Sequence, residues 1–299
     1  MEIKNYKDYL VRATAGNDQI RAFALTNKDI LKREQDIHQY SKIGISALGQ
    51  LLSAGLLMGD MQKNSTDELT LQIKCEGQIG YMVVTGKNDG SVRGTMHNGN
   101  IPSIGDIPDS EAIFKAIGKG TLTVIEDLGM KEPYTSQIDL QNGDIAENLT
   151  YYFTQSEQTQ TNVGLDMAFS EDGKEILSSG GYVIQLMPNA SKGVIAQLEK
   201  NIAEFQGVSK ALKKENTPES ILRELLNGFD ISFNGSIDVS FHCDCNHQKG
   251  ANILKSLGKA ELDDMISEGK EIEIVCSFCG KKYSYPISEL EEIRSKLVK

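Results

Sequence analysis

The sequence predicts an α+β protein in three parts: an N-terminal mixed α/β domain over residues 1–190, a helical linker over 191–232, and a small cysteine-bearing C-terminal domain over 233–299. Three observations predict it. Strand-period and helix-period segments are interleaved through the first 180 or so residues. Two amphipathic helical segments follow, separated by a run of charge. Four of the five cysteines then crowd into the last 57 residues.

In the first part, residues 26–40 are polar and helix-forming and lead into an uncharged apolar stretch at 43–59. That stretch barely reaches membrane-spanning length and carries Gly44, Ser46, Gly49, Gln50, Ser53 and Gly55. Leu48, Leu51, Leu52 and Leu56 instead suit a helix buried in a soluble core, its glycines allowing close packing. Leu69-Thr70-Leu71-Gln72-Ile73-Lys74-Cys75 alternates with period two, the mark of a half-buried strand. A second strand is predicted over 79–85. Lys87-Asn88-Asp89-Gly90 then turns the chain through an Asp-Gly pair that tolerates positive φ, giving a hairpin into 91–97. Further strands are predicted at 121–126, 163–170 and 182–187, with a helix near 145–152.

Residues 191–229 differ in character. Val194, Ile195, Leu198, Ile202 and Phe205 share one helical face, with Glu199, Lys200 and Glu204 around it. Residues 210–216 are polar and charged and are expected to break the helix. A second helix is expected to start with Thr217 as N-cap and Pro218 at its first position, to carry Ile221, Leu222, Leu225 and Leu226, and to end at Gly228. The segment reads either as a helical hairpin packed on the first domain or as a linker that folds conditionally.

Composition excludes some functions. A formal net charge of −11 repels phosphate backbones, and the absence of Trp with few aromatics leaves no platform for stacking bases. Residues 236–299 hold eleven acidic and nine basic residues, an unfavourable balance for a nucleic-acid-binding zinc ribbon. The N-terminus, Met1-Glu2-Ile3-Lys4-Asn5-Tyr6-Lys7-Asp8, lacks a basic-then-apolar export pattern, so a reducing cytosolic compartment is expected. There, close cysteine pairs read as metal ligands or redox centres.

Those pairs are Cys243-Asp244-Cys245 and, thirty residues on, Cys276-Ser277-Phe278-Cys279-Gly280. Zinc takes four soft ligands at tetrahedral corners, and two close pairs joined by a folded spacer supply them. The second pair reads as a zinc knuckle, with Gly280 easing the end of the turn. Four thiolates leave no open coordination position, which argues against a hydrolytic site. His242 and His247 flank the first pair and are expected beside the site rather than in it. Cys75, in line with Leu69, Leu71 and Ile73, reads as a buried small hydrophobe. Bound thiolates are also the form that peroxide attacks, and each cysteine has a neighbour within three residues to capture a sulfenic acid. The chemistry thus permits a structural site or a redox switch.

The Cys-x-Cys and Cys-x-x-Cys boxes, Phe241-His242-Cys243-Asp244-Cys245 and Glu271-Ile272-Glu273-Ile274-Val275-Cys276-Ser277-Phe278-Cys279-Gly280, resemble those of the redox-regulated chaperone heat shock protein 33 family. Upstream, Val92-Arg93-Gly94, Tyr152-Phe153 with Ser156-Glu157-Gln158, and Gly180-Gly181 leading to Leu186-Met187-Pro188 resemble its N-terminal domain, in the same order. The resemblance implies a bacterial cytoplasmic holdase, not an enzyme, that binds unfolding proteins without ATP. Consistently, Gly118-Lys119-Gly120-Thr121 lacks the first glycine of a phosphate-binding loop. It further implies one Zn²⁺ per reduced, inactive chain on Cys243, Cys245, Cys276 and Cys279. Oxidation would give Cys243–Cys245 and Cys276–Cys279 disulfides, zinc release, a destabilised linker, exposed client-binding surface and a homodimer. Neither a membrane nor nucleic acid is an expected partner. Two rival classes remain at this point, a thiol oxidoreductase using Cys276 and Cys279 and a constitutive zinc-stabilised binding module. Against the first, 281–286 reads as turn and strand where such enzymes place a helix.

Overall fold

The computed structural model describes residues 7–102, 107 and 109–297, so residues 1–6, read above for an export signal, lie outside it. The chain folds as two compact units, Met1–His242 and Cys243–Lys299.

Along the first unit run β1 (Tyr9–Ala15), β2 (Ile20–Thr26), α1 (Lys28–His38), α2 (Lys42–Asp60), β3 (Glu68–Cys75), β4 (Tyr81–Lys87), β5 (Ser91–Met96), α3 (Asp109–Ile117), β6 (Gly120–Asp127), β7 (Tyr134–Asp139), α4 (Ile145–Gln155), β8 (Thr161–Phe169) and β9 (Ile176–Leu186). Then come α5 (Lys192–Glu204), α6 (Val208–Lys214), α7 (Pro218–Leu225), β10 (Ile231–Asp238) and β11 (Ser240–Phe241). Two sheets form. One is antiparallel in the order β10-β1-β2-β9-β8. The other, β11-β5-β4-β3-β6-β7, is antiparallel except where β11 joins β5 in parallel, Phe241 opposite Val92.

The apolar stretch is α2, and it packs against strands of both sheets. It is long and apolar enough to cross a membrane, but 94% of that window is buried inside the protein. Ser41 caps its start, accepting from the Gly44 N–H at 3.2 Å. The expected use of its glycines holds at Gly55. A Cβ there would meet Val84 at 2.5 Å, and one on Gly86 of β4 would meet the Gly55 carbonyl at 2.0 Å. In β3 the alternation holds, with Leu69, Leu71 and Ile73 buried. Cys75 differs from expectation: it is half-buried, because β3 ends there at the sheet margin. Burial still pushes its thiol pKa up.

The 191–229 segment departs from the predicted helix–hinge–helix. It contains three helices, because 210–216 is largely occupied by α6. Val208, Ala211 and Leu212, at i, i+3 and i+4, form that helix's buried face, and Lys210, Lys213 and Lys214 are its solvent side rather than a hinge. The breaks fall on either side, one at Gly207 (φ +103°) and one before Pro218. Thr217 occupies the N-cap position of α7, but its side chain makes no capping bond. The three helices cover one face of the five-stranded sheet. Leu198, Val208, Ala211, Leu212, Ile221, Leu222, Leu225 and Leu226 pack on Val11, Ala13, Ala15, Ile20, Ala22, Ala24, Tyr182 and Ile184. Four alanines make that sheet face shallow, so the helices supply most of the apolar bulk. Asn201, buried in α5, donates to the Leu225 and Asn227 carbonyls at 2.9 and 2.8 Å and so fastens α5 to the end of α7.

The second unit contains α8 (His247–Ser256), α9 (Lys259–Ser267), β12 (Ile272–Val275), β13 (Lys282–Tyr285) and α10 (Ile287–Ser295). Its buried apolar core is Ala251, Leu254, Leu262, Tyr285, Leu290 and Ile293. Six such residues among those described are a small core for an independent unit, of the kind that a structural metal or disulfides commonly reinforce.

Candidate metal centre

The two cysteine boxes are presented by different local structures. Strands β12 and β13 form an antiparallel hairpin with Val275 opposite Lys282, and Cys276 to Cys279 make its turn. The Cys276 N–H donates to the Lys281 carbonyl at 2.9 Å, and the Gly280 N–H donates to the Cys276 carbonyl at 2.8 Å. Gly280 sits at φ +69°, a conformation that side-chain-bearing residues adopt at a cost. The first box lies in the approach to α8. Asn246 caps that helix, accepting from the Lys249 N–H at 2.9 Å, so Cys245 precedes the positive end of the helix dipole.

The four sulfurs converge. The Sγ atoms of Cys243, Cys245, Cys276 and Cys279 all lie within 4.8 Å of one another. The separation is 3.7 Å for Cys243 with Cys276 and 3.3 Å for Cys245 with Cys279. A tetrahedron with Zn–S bonds of about 2.3 Å has edges of about 3.8 Å, so the cluster has the size that a tetrathiolate zinc site needs. Its electrostatics fit a cation as well. Burial opposes charge on Cys245, but hydrogen bonds from Tyr283 and from Cys279, Cys243 and Cys276 outweigh it and bring the thiol to about 7. Burial pushes the Cys279 thiol up to about 12 and raises that of Cys243. Cys245 therefore takes charge more readily than Cys243 or Cys279. A divalent cation supplies the positive charge that lets all four ionise. Backbone N–H groups of Cys245 and Lys281 donate to the sulfurs of Cys243 and Cys279 and favour the thiolate.

The other candidates lie elsewhere. Cys75 belongs to β3 in the first unit. His242 is exposed, and its backbone N–H donates to the Val92 carbonyl at 2.9 Å. His247 opens α8 stacked on Tyr285, with ring centroids 4.3 Å apart. Its Nδ1 is 3.3 Å from Glu289 and its Nε2 is 3.2 Å from the Ser284 carbonyl, so both ring nitrogens are engaged away from the sulfurs. Sequence reasoning missed Tyr283 and Tyr285. The Tyr283 hydroxyl is 2.9 Å from the Cys245 carbonyl oxygen and 3.3 Å from its Sγ. The alternating tyrosines of Lys282-Tyr283-Ser284-Tyr285, directly after the knuckle, were the available signal.

Comparison with known proteins gives one consistent result. The Hsp33 protein family matches residues 8–286. The 33 kDa chaperonin of Agathobacter rectalis is 41% identical over 287 residues, spanning 96% of this chain and 99% of its own length. That of Clostridioides difficile is 38% identical over 293 residues, 97% of this chain and all of its own. The crystal structure of the 33 kDa chaperonin (heat shock protein 33 homolog) of Thermotoga maritima superposes with a TM-score of 0.87 at 28% identity, covering 97% of this chain and 98% of that one.

Proposed function

This chain belongs to the Hsp33 family, and from that premise we propose that it is a cytosolic, ATP-independent holdase chaperone switched by oxidation of its four-cysteine zinc centre. The observation that carries the reading is the convergence of four sulfurs within 4.8 Å on a unit with six buried apolar residues among those described. In the reduced state Cys243, Cys245, Cys276 and Cys279 would hold one Zn²⁺, which would supply much of that unit's folding energy. The reading divides the chain functionally into the chaperone core 1–190, the linker 191–232 and the redox part 233–299, of which β10 and β11 pair into the sheets of the first unit and the cysteine-bearing unit itself begins at Cys243.

Activation follows from thiol chemistry. A thiolate attacks one peroxide oxygen, the O–O bond breaks and hydroxide leaves, giving a sulfenic acid. A neighbouring thiol then attacks that sulfur, forming the disulfide and releasing water. Two such events, giving Cys243–Cys245 and Cys276–Cys279, would consume all four ligands. The zinc unit would then unfold, and Cys243 lies only two residues beyond Phe241, the last residue of β11. Phe241 is held in the six-stranded sheet by its pairing with Val92 and under the Arg33 guanidinium, 4.6 Å from the ring centroid. Release of the chain at this point would loosen β10 and the linker helices before it. The shallow face lined by Ala13, Ala22, Ala24 and Tyr182 would then be open to the apolar segments of unfolding proteins and to a second copy of the chain.

Metal analysis tests the foundation. The reduced chain is expected to hold one zinc, and the Cys243→Ser, Cys276→Ser double variant to lose it, while Cys75→Ser keeps it. Full zinc retention by the double variant contradicts the reading.

A further inference from the structure

The switch chemistry gives no part to the strand that follows the second cysteine pair, yet that strand reaches back to the first. Alternation in β13 puts Tyr283 and Tyr285 on one face and exposed Ser284 on the other. The two hydroxyls meet positions that are also two residues apart. Tyr285 donates to the His247 carbonyl at 2.6 Å, and Tyr283 lies 2.9 Å from the Cys245 carbonyl and 3.3 Å from its sulfur. The space for Tyr285 is left by Gly250 in α8, where a Cβ would come 2.0 Å from the Tyr285 oxygen. Tyrosine hydroxyls thus clasp the first box to the hairpin that carries the second, and only Tyr283 touches a sulfur.

We propose that Tyr283 is a positioning residue for Cys245, its hydroxyl holding that sulfur in the cluster and slowing its attack on oxidants; the proposal rests on the reading of the four cysteines as a redox-switched zinc centre. A hydroxyl donating to a thiolate occupies the electron density that attack on peroxide requires, and neighbouring groups of this kind tune both ligand placement and reactivity. In the attack on hydrogen peroxide the Cys245 sulfur forms an S–O bond, the O–O bond breaks and hydroxide leaves. The sulfur gives up two electrons, which reduce the peroxide, and it must first shed the hydrogen bond. The same hydroxyl then donates its hydrogen bond to the carbonyl 2.9 Å away, so no donor is stranded when Cys245 loses its charge. Tyr283 is neither oxidised nor consumed. The arrangement makes Cys245 the guarded thiol of the four.

The test uses the full-length reduced chain as wild type, Tyr283→Phe and Tyr285→Phe. Each is given limiting hydrogen peroxide, quenched with an alkylating reagent and mapped by peptide mass spectrometry, with zinc content measured alongside. Phenylalanine keeps the rings and removes only the hydroxyls. Tyr283→Phe is expected to raise the share of early oxidation found at Cys245, relative to the other three cysteines, by roughly three- to tenfold, the scale of one lost ordinary hydrogen bond. Tyr285→Phe is expected to leave the distribution unchanged. An unchanged Cys245 share in Tyr283→Phe overturns the proposal. So does an equal acceleration at all four cysteines, which a merely loosened or unfolded unit would show. The zinc measurement separates the two ideas: a zinc-loaded wild type without a Cys245-selective response fails only the proposal. A zinc-free wild type with a Cys245-selective response fails only the metal reading.

Discussion

Changing Leu198 and Leu222 to Ser is expected to free the linker helices without opening the domain beneath them. Leu198 is 3% exposed and Leu222 fully buried, and both lie in the cluster that packs α5–α7 on the five-stranded sheet. Truncating a buried leucine costs about 2–5 kcal/mol. A serine hydroxyl left without a partner adds about 1–3 kcal/mol. The pair therefore removes on the order of 6–16 kcal/mol, comparable with a whole domain's net stability. Helices of 13, 7 and 8 residues cannot survive on local propensity, so they should detach. The core around α2 is held by different residues, including Leu48, Leu52, Val84 and Leu71. Hydrogen exchange read by mass spectrometry is the assay. Amides in 192–226 should exchange at least about a hundredfold faster in the reduced variant, since 1.4 kcal/mol is a factor of ten, while α2 stays protected. The same sample should suppress client aggregation partially without oxidant. Simultaneous loss of protection in α2 and the linker would refute the idea of a separable layer. A detached linker with no gain in chaperone activity would place the client surface elsewhere.

Three further outcomes are expected. Peptide mapping after peroxide should find Cys243–Cys245 and Cys276–Cys279, because chain proximity keeps those thiols together once the unit opens. The 3.3 Å approach of Cys245 to Cys279 belongs to the folded cluster, so a dominant link between those two would mean oxidation without opening. Buried Glu34, whose carboxylate accepts no hydrogen bond among the described residues and lies 3.5 Å from His38 Nε2, has its carboxyl pushed up to about 8 by burial against a smaller opposing effect of Arg33. Its folded pKa is above the ordinary 4.5, so the folded state binds the extra proton. The contribution of Glu34 to stability is then fully present below pH 4.5 and is lost as pH rises toward 8, by about 3 kcal/mol at pH 7. Glu34→Leu should flatten that part of the pH dependence in urea unfolding, and parallel slopes for variant and wild type would contradict it. Gly250→Ala, which drives a methyl against the Tyr285 hydroxyl, should lower the thermal stability of the zinc unit and weaken its hold on metal, by a few kcal/mol. Unchanged melting and zinc affinity would show that Tyr285 has room to move.

Legibility in the sequence followed how strongly burial patterns each element. The uniform apolar run of α2 and the alternation of β3 were plain, as were the Asp89-Gly90 turn and the helix near 145–152 that is α4. β10 could not be seen, because it is a mostly exposed edge strand whose residues Ser232 to Ser236 face solvent without alternation. β1 and β2 were hidden for the opposite reason: their buried alanines are as common in helices as in strands. α6 was read as a hinge because three lysines outweighed three small apolar residues in so short a segment. The cysteine cluster was fully legible, since spacing within each box already confines two sulfurs. The tyrosine contacts were not, because they depend on which face of β13 turns toward the first box.

The central claim is that metal loss and chaperone activity are one event. The direct measurement is a peroxide time course on the reduced, zinc-loaded chain, following zinc release with a chromogenic chelator and suppression of client aggregation on the same aliquots. The account predicts that both rise together with the loss of free thiols among Cys243, Cys245, Cys276 and Cys279, and that a thiol reductant reverses both when zinc is restored. Full chaperone activity while zinc remains bound would contradict it, as would complete zinc release with no activity.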